Sequence, residues 1–453
     1  MIKTEKLKEN RDEERRGAYG DAGAGFEYVG DFCYGLAQTL YPICRSLTGP
    51  GVRQTLSILG RHLPDLTVHS VPSGTAAFDW TVPDEWTIRD AYIADEAGSR
   101  LIDFRKHNLH VVGYSESVDR IIELEELQQH LYSLPEQPDA IPYVTSYYSR
   151  RWGFCLTELQ RQALTGKRYR VFIDADLAPG ELNYAELILK GQSDQEVLLS
   201  TYVCHPSMAN NELSGPVVTT ALARWLASMK NRHYTYRVVF IPETIGSIVY
   251  LSRHLEHLKQ TVVAGFNITC VGDDRCYSYL PSRSGNSLSD MAAVHVLKHI
   301  DPNFRRYSWL DRGSDERQYC SPGVDLPVAT IMRSKYAEYP EYHTSLDDMS
   351  LISPAGLQGA FVALARALEI VENNVRPRVT VLGEPQLGKR GLYPTLSTKE
   401  SGATVKVMMD LISLCDGKKT LLEIADEIQQ PFTSLLEILG RLKANKLVEV
   451  ARG

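Results

Sequence analysis

A short loop between a predicted strand and a predicted helix carries two residues that can bind a metal ion. The strand is the apolar run 197–203, and His205 and Glu212 follow it within the loop 204–215. Imidazole nitrogens and carboxylate oxygens are common zinc ligands. Open α/β sheets place their chemistry at the carboxyl ends of strands. The loop 204–215 is therefore the first candidate for a functional site.

Three further predicted strands also end in polar clusters. Glu243, Asp273 and His343 follow the apolar runs 236–241, 264–272 and 327–332, respectively. Because such strand ends converge at one edge of an open sheet, we expect these side chains to lie close together. Each cluster alone fits a turn, a helix start or a solvated loop, but four at successive strand ends favour a shared site.

The chemistry that these residues can perform is coherent. His205, Glu212 and His343 make a three-ligand set, which leaves one position of a tetrahedral zinc ion open to water. Zinc lowers the pKa of such a water and polarises a carbonyl group. A nearby carboxylate that is not a ligand can take up the proton and pass it to a leaving amine. Glu243 is the candidate for this general base.

The segments that must position the site alternate between strand and helix patterns. Helical patterns cover about 213–230, 245–259, 287–300 and 353–373. This alternation predicts an α/β fold with a mixed, largely parallel sheet flanked by helices. Pro42 and the cluster 48–51 divide the earlier helical pattern over 26–63 into two helices.

The remaining segments differ in texture and predict several domains. The prediction comprises a flexible leader (1–24), the α/β domain (25–65 and 138–376), an inserted small β-rich domain (66–137), a linker (377–394) and a C-terminal winged-helix module (395–453). The last module carries eight basic and eight acidic residues. A neutral module argues against nucleic-acid binding and favours docking or formation of a homo-oligomer.

Composition narrows the class of protein. The chain has 453 residues, 43% hydrophobic and 23% charged, with a net charge of −7, as in ordinary globular proteins. No apolar run reaches the 18–20 residues that cross a bilayer, and the charged N-terminus does not fit a secretory signal. The eight cysteines are scattered. We therefore expect a cytoplasmic protein without a membrane partner.

These motifs resemble a known superfamily. His205 and the segments 209–215, 242–247 and 342–348 resemble the zinc aminopeptidases and glutaminyl cyclases. A narrower resemblance, to bacterial aminopeptidase-like proteins labelled polysaccharide-biosynthesis proteins, rests on the segments 71–75, 78–83, 85–86, 143–148, 152–155 and 312–319 and on the C-terminal module. It covers essentially residues 25–453. The resemblance implies an aminopeptidase-like domain with metal ligands at His205 and His343 and a general base at Glu243.

Further residues near these motifs are candidates for binding substrate. Asp315 and Glu316 match a superfamily loop near the site and are candidates for binding a substrate amine. Arg333 and Tyr336 precede His343 and are candidates for binding a carboxylate or phosphate. Asp273 lies four residues beyond an expected ligand position and completes the set.

Three departures from the superfamily pattern argue against a two-metal site. Asn211 stands where two-zinc aminopeptidases have a bridging Asp, and Thr244 and Thr269 stand where two further carboxylate ligands are expected. A neutral amide or hydroxyl is a poor substitute for these carboxylates. Glu212, one residue further on, is the candidate replacement, so we expect one zinc ion per chain.

The sequence therefore predicts a zinc-dependent, aminopeptidase-like hydrolase that cleaves an amide bond of a small aminoacyl, short peptide-like or biosynthetic substrate. Two alternatives remain open. One is a catalytically silent scaffold or ligand-binding protein, which the three departures favour. The other is an acyl-transfer or cyclising enzyme of the glutaminyl cyclase type, which uses one zinc ion on the same fold.

Overall fold

The computed structural model describes residues 28–392 and 399–452. Its strands are β1 Thr67–Pro72, β2 Ala76–Ala77, β3 Trp80–Thr81, β4 Glu85–Ala94, β5 Arg100–Asp103, β6 Val118–Glu123, β7 Leu131–Tyr132, β8 Phe154–Cys155, β9 Arg168–Ala178, β10 Glu181–Leu189, β11 Glu196–Tyr202, β12 Thr235–Ile241, β13 Val262–Asn267, β14 Ser278–Leu280, β15 Arg305–Arg306, β16 Val328–Met332, β17 Arg376–Val379 and β18 Val448–Ala451.

The α-helices are α1 Val29–Leu40, α2 Pro50–Gly60, α3 Leu124–Leu127, α4 Glu158–Gln162, α5 Ser214–Ser228, α6 Ile245–Thr261, α7 Leu288–Ile300, α8 Glu316–Tyr319, α9 Pro354–Asn373, α10 Lys399–Leu414, α11 Leu421–Glu427 and α12 Phe432–Ala444. The predicted leader, 1–24, lies outside the described residues. The chain divides into two compact units, and the larger comprises Tyr28–Asp290 and Phe304–Val362.

An eight-stranded sheet organises the larger unit, in the order β1-β10-β12-β11-β13-β16-β14-β15. The four central strands, β12, β11, β13 and β16, pair in parallel. Strands β10 and β14 pair antiparallel to them at the two sides. Every residue of β11, β12 and β16 is buried, as expected of parallel strands covered on both faces. The predicted mixed, largely parallel α/β fold is confirmed.

A second, four-stranded sheet has the order β5-β4-β9-β6. Its strand β9 pairs antiparallel with both β4 and β6. This sheet therefore draws a strand from beyond the range 66–137 predicted for the inserted domain, and β1, within that range, pairs with β10 of the large sheet instead. Residues of β9 alternate between buried and more exposed positions, as in a sheet that is covered on one face. Such alternation does not specify which sheet a strand joins, which is why the predicted bounds differ.

The C-terminal module is a small winged helix. Helices α11 and α12 each have a buried apolar face, and β17 pairs antiparallel with β18. Since β17 begins at Arg376, the predicted linker 377–394 starts inside this sheet. Pro377 is compatible with it because a two-stranded sheet consists only of edge strands.

One helix of the described residues, α9, is long and apolar enough to cross a membrane by length and composition. Of the 18-residue apolar stretch in this helix, 67% is buried inside the protein.

Candidate functional site

The carboxyl ends of the four central parallel strands supply the candidate site. His205 follows β11, Glu243 follows β12, Thr269 follows β13, and His343 lies in the long loop after β16. Because these strands are neighbours, the side chains that follow them converge at one edge of the sheet. The structure thus brings His205, Glu243 and His343 together, as the sequence predicts.

The loop after β11 enters α5 through one π-helical turn, Ala209–Leu213. Asp347 holds this turn by accepting hydrogen bonds from the main-chain N–H groups of Asn210 (2.6 Å) and Asn211 (2.9 Å). Asp347 belongs to the same loop as His343 and is fully buried. A single carboxylate therefore fixes the two loops that carry the histidines.

His205 lies between two carboxylates. Its Nδ1 atom is 3.0 Å from Oε2 of Glu212, and its Nε2 atom is 3.5 Å from Oε2 of Glu243. Its main-chain N–H also donates to Glu212 (2.9 Å). Glu212 and Glu243 therefore contact opposite edges of one imidazole ring. Glu212, at the Nδ1 edge, is fully buried, whereas Glu243, at the Nε2 edge, keeps 19% of its side-chain surface accessible.

Glu212 is neutralised by a buried arginine. Arg45, from the loop between α1 and α2, lies with its Nε atom 3.1 Å from Oε1 of Glu212, and both side chains are fully buried. The same Nε atom donates to the main-chain oxygen of His205 (2.9 Å). Arg45 also donates through Nη1 to the carbonyl of Leu40 (2.8 Å). Arg45, Glu212 and His205 thus form a continuous buried chain that fixes the imidazole orientation.

Cys204 joins this buried group. Its Sγ atom lies 3.5 Å from Nδ1 of His205 and accepts a hydrogen bond from the main-chain N–H of Glu243 (3.2 Å). Cys204, His205 and Glu212 together form a donor group compact enough to hold a metal ion. However, Arg45 already supplies a positive charge there, and burial raises the pKa of the Cys204 thiol to about 11. A metal ion at these three donors would therefore have to displace the Arg45 pairing and the thiol proton.

His343 lies beside His205. Its ring centroid lies 5.6 Å from that of His205 and 3.9 Å from that of Tyr342, on which it stacks. The residue has a φ of 56°, in the left-handed region, and its main-chain oxygen accepts a hydrogen bond from Tyr143 (2.8 Å). Burial, together with the nearby His205, lowers the pKa of His343 to about 3. The imidazole is therefore neutral, which is the form that binds metals.

His205 and Glu243, which lie next to each other, both have shifted pKa values. Burial opposes protonation of His205, but the Cys204 sulfur and the carboxylates of Glu212 and Glu243 outweigh it, so its pKa stands well above the ordinary value. Burial raises the pKa of Glu243, although the charges of His205 and Arg317 oppose that shift. A carboxylate with a raised pKa is a better proton acceptor near neutral pH.

A neutral hydrogen-bonded network occupies two of the three positions at which the superfamily has additional metal ligands. The hydroxyl of Tyr202 lies 2.6 Å from Oγ1 of Thr269 and 3.0 Å from Oδ1 of Asn211. All three side chains are buried. These groups hydrogen-bond to one another and carry no negative charge, so they offer no carboxylate to a second metal ion.

Thr244, the third position, has a different environment. Its φ is 64°, and its main-chain N–H donates to Oδ1 of Asp315 (2.8 Å). Its hydroxyl accepts a hydrogen bond from Nη2 of Arg317 (2.6 Å). Burial and the nearby Glu243 raise the pKa of Asp315 to about 7. Asp315 thus supports the turn that carries Glu243 and is fully buried.

The other residues predicted to bind substrate are engaged within the protein. Oε1 of Glu316 accepts from the hydroxyl of Tyr336 (2.6 Å), and its Oε2 accepts from Asn267 (3.0 Å). Asp273 accepts from the main chain and hydroxyl of Ser334 (both 2.9 Å). Arg333 donates to the carbonyl of Asp273 (2.6 Å) and stacks on Tyr277. Glu316, Tyr336, Asp273 and Arg333 are all buried, so each stabilises a loop around the site.

The sequence patterns did not predict the contacts that Arg45, Tyr202 and Cys204 make at the site. Arg45 is 160 residues from His205 in the chain, and nothing in its local sequence marks it as a partner. Tyr202 lies within the apolar strand pattern of β11, where its hydroxyl gives no separate signal. Cys204 adjoins His205, and that proximity was its only available sequence signal.

The sheet, its strand-end site and the winged helix define an aminopeptidase-like α/β protein. A family model described as a domain of unknown function, DUF4910, matches residues 34–374, and a winged helix-turn-helix model matches residues 375–450. The chain belongs to the DUF4910 family. A relative from Clostridium acetobutylicum confirms the resemblance to aminopeptidase-like polysaccharide-biosynthesis proteins.

A protein sequence and a crystal structure from Clostridium acetobutylicum are each similar to this chain over nearly its whole length. One, provisionally named a polysaccharide biosynthesis protein with aminopeptidase-like domain, is 40% identical over 93% of this chain and 97% of its own length. The other is a crystal structure provisionally described as a peptidase, with 38% identity and a TM-score of 0.89 over 97% of this chain and 100% of that one.

A zinc aminopeptidase from Bacillus subtilis is a more distant structural neighbour. It is 13% identical, with a TM-score of 0.55, over 76% of this chain and 94% of its own. At this identity the similarity establishes the fold only.

Proposed function

We propose that this protein is a single-zinc, aminopeptidase-like hydrolase that cleaves an amide bond of a small aminoacyl or biosynthetic substrate. The observation that carries the proposal is the arrangement at the Nε2 edge of His205. There, the partly exposed carboxylate of Glu243 lies 3.5 Å from Nε2 of His205, and the ring centroid of the neutral His343 lies 5.6 Å from that of His205. The provisional names from Clostridium support it, since the sequence is named aminopeptidase-like and the crystal structure is named a peptidase.

The donor set beside the Nε2 atom of His205 offers two imidazoles to one metal ion. His205, through Nε2, and His343 would hold the zinc, since the centroids of their rings lie 5.6 Å apart. We propose that Glu212, predicted from the sequence as a ligand, instead orients His205 through Nδ1, as carboxylates next to metal-binding histidines commonly do. When bound, zinc supplies Lewis-acid polarisation of the substrate carbonyl.

The protein's own groups account for the proton transfers. Glu243 accepts a proton from the attacking water as its oxygen forms a bond to the carbonyl carbon. The carbon–nitrogen bond then breaks, and Glu243 returns the proton to the leaving amine. One water is consumed, and the products are a carboxylic acid and an amine. Burial of Glu243, which raises its pKa, favours the first half of this transfer, the uptake of the proton.

A second candidate function is binding of a small ligand without catalysis. The specific observation behind it is the neutral network of Tyr202, Asn211 and Thr269, which takes the place of carboxylate ligands. In that case, His205 and His343 would contact the ligand directly, and no metal would be required.

Metal analysis of protein purified without added zinc separates these functions. We expect about one zinc ion per chain, lost in His343→Ala, and zinc-dependent hydrolysis of a panel of aminoacyl amides and N-acyl compounds. Glu243→Gln should retain the zinc and abolish turnover. If Glu243→Gln loses the zinc, Glu243 is a ligand and not the base. Absence of bound zinc under every loading condition would exclude the metal-dependent function and leave the binding protein.

A further inference from the structure

A partly exposed arginine lies beside the proposed general base without a carboxylate partner. Arg317 is in the short helix α8, and its Nη2 atom donates to the hydroxyl of Thr244 (2.6 Å), the residue after Glu243. Among residues 28–392 and 399–452, no carboxylate oxygen lies within 4.0 Å of its guanidinium group. Its Nε atom is buried and has no hydrogen-bond partner there.

Two other guanidinium groups near the site are paired with carboxylates. Arg45 pairs with Glu212 at 3.1 Å, and Arg275 pairs with Glu341 at 2.8 Å. Asp315 is close enough to Arg317 to interact electrostatically, but its Oδ1 atom accepts from Thr244 and Ser247 instead. Glu243 and Asp315 therefore interact with the charge of Arg317 through space, but neither forms an ion pair with it.

The surroundings of Arg317 are open to a ligand. Glu243, Thr244 and Arg317 are all partly exposed, whereas His205 and Asp315 are buried. A group that contacts both Arg317 and the hydroxyl of Thr244 would sit directly next to the carboxylate of Glu243. Such a group must be a hydrogen-bond acceptor, and an anion gains most from the unneutralised guanidinium.

We propose that Arg317 and Thr244 form a subsite for a carboxylate group of the substrate, which makes the substrate an acidic acyl compound. A carboxylate fits better than a phosphate because Glu243 and Asp315 lie nearby. A single guanidinium balances one negative charge in that setting but not two. The position of the carboxylate relative to the cleaved amide rests on the proposed function, whereas the subsite itself does not.

The test measures binding and not turnover. Protein treated with a chelator is titrated with succinamate, which carries one carboxylate and one amide, and with succinamide, in which the carboxylate is replaced by a second amide. We expect succinamate to bind at least tenfold more tightly than succinamide. Inorganic phosphate should compete weakly with it.

Variants assign the preference to the subsite. The succinamate preference should disappear in Arg317→Gln and return in part in Arg317→Lys. Thr244→Val should weaken succinamate binding severalfold. The matched control is Arg312→Gln, which changes an exposed arginine of the same segment that stacks on Trp309. This variant should bind as the unmodified protein does. Thermal unfolding of each variant identifies any loss of folded protein.

Three outcomes overturn the proposal. They are equal binding of succinamate and succinamide, an unchanged preference in folded Arg317→Gln, and no binding of succinamate by the unmodified protein. Phosphate binding that exceeds succinamate binding would assign the subsite to a phosphorylated ligand instead. Because no metal is present, these outcomes are independent of whether zinc binding and hydrolysis are found.

Discussion

Oε2 of Glu212 lies 3.0 Å from Nδ1 of His205 and 2.9 Å from its main-chain nitrogen, so one carboxylate oxygen fixes both the ring and the backbone of the histidine. The other oxygen of Glu212 pairs with Arg45. A glutamate held in this way cannot move toward the Nε2 edge without breaking three interactions. This relationship places the proposed zinc on the opposite edge of the imidazole, next to Glu243.

The buried Arg45–Glu212 pair predicts different responses for stability and for metal affinity. Glu212→Gln leaves the Arg45 charge buried without a partner, which should destabilise the protein by about 3–5 kcal/mol. It should also weaken zinc binding by roughly 10–100-fold, because the orientation of His205 is lost. Chemical denaturation and zinc competition titrations measure the two effects.

The double variant Arg45→Met with Glu212→Gln separates them. Removing both charges should restore most of the stability, since a buried ion pair replaced by neutral groups is often tolerated. Zinc affinity should remain low. If Glu212→Gln binds zinc as tightly as the unmodified protein, Glu212 neither binds the metal nor orients its ligand.

The Tyr202 network predicts a stability cost without a change in metal content. Tyr202→Phe removes the hydroxyl shared by Asn211 and Thr269 and leaves buried polar atoms unpaired, which should cost about 1–3 kcal/mol. The protein should still bind no more than one zinc ion. Thr269→Val breaks the same network, so the double variant should lose less than the sum of the two single losses. A second bound zinc in Tyr202→Phe would contradict the role assigned to this network.

The strands and helices around the site were predictable because their patterns are strong. The buried runs that became β11, β12 and β16 were expected to within about one residue at each end. The third run, 264–272, was predicted too long, since β13 ends at Asn267 and Cys270 adopts a φ of 51° that takes the chain out of the sheet. The strands β14 and β15 were not predicted because two or three residues carry no periodicity.

The site was predictable only where chemistry and position in the sequence coincide. His205, Glu243 and His343 each follow a predicted strand, so their convergence was expected. The partner of Glu212 was not, because the Arg45 contact depends on tertiary packing between distant segments. The contacts of Glu316, Arg333 and Tyr336 likewise depend on loops whose course the sequence does not specify. The oligomeric state of the winged-helix module stays a prediction.

The raised pKa of His205 predicts that zinc affinity depends on pH. Without metal, the imidazole is protonated over a wider range than an ordinary histidine, because the Cys204 sulfur, Glu212 and Glu243 outweigh the effect of burial. Zinc must displace this proton, so its affinity should fall as the pH falls below the raised pKa, by up to about tenfold per pH unit. Zinc titrations between pH 6 and 8 measure the slope. An affinity independent of pH throughout that range would show that binding releases no proton from His205.

His107, in the β-rich region, predicts a separate dependence of stability on pH. Burial and the nearby His110 lower the pKa of His107 to about 4, below its ordinary value of 6.5. Above pH 6.5, the side chain is neutral in both the folded and unfolded states, so stability is not affected. Between about pH 6.5 and 4, only the unfolded state takes up a proton, so stability falls as the pH falls. The expected loss is on the order of 1–2 kcal/mol, reduced by the partial exposure of the ring.

The variant His107→Asn tests this assignment while preserving the local fold. Nδ1 of His107 accepts a hydrogen bond from the main-chain N–H of Leu109 (3.2 Å) at the start of a short 3₁₀ helix. An asparagine oxygen can accept the same bond but does not titrate in this range. Denaturation at pH 7 should therefore give similar stability for both proteins, and denaturation at pH 5 should favour the variant. An equal loss of stability in both proteins would assign the pH dependence to another group, such as His110, whose pKa burial also lowers.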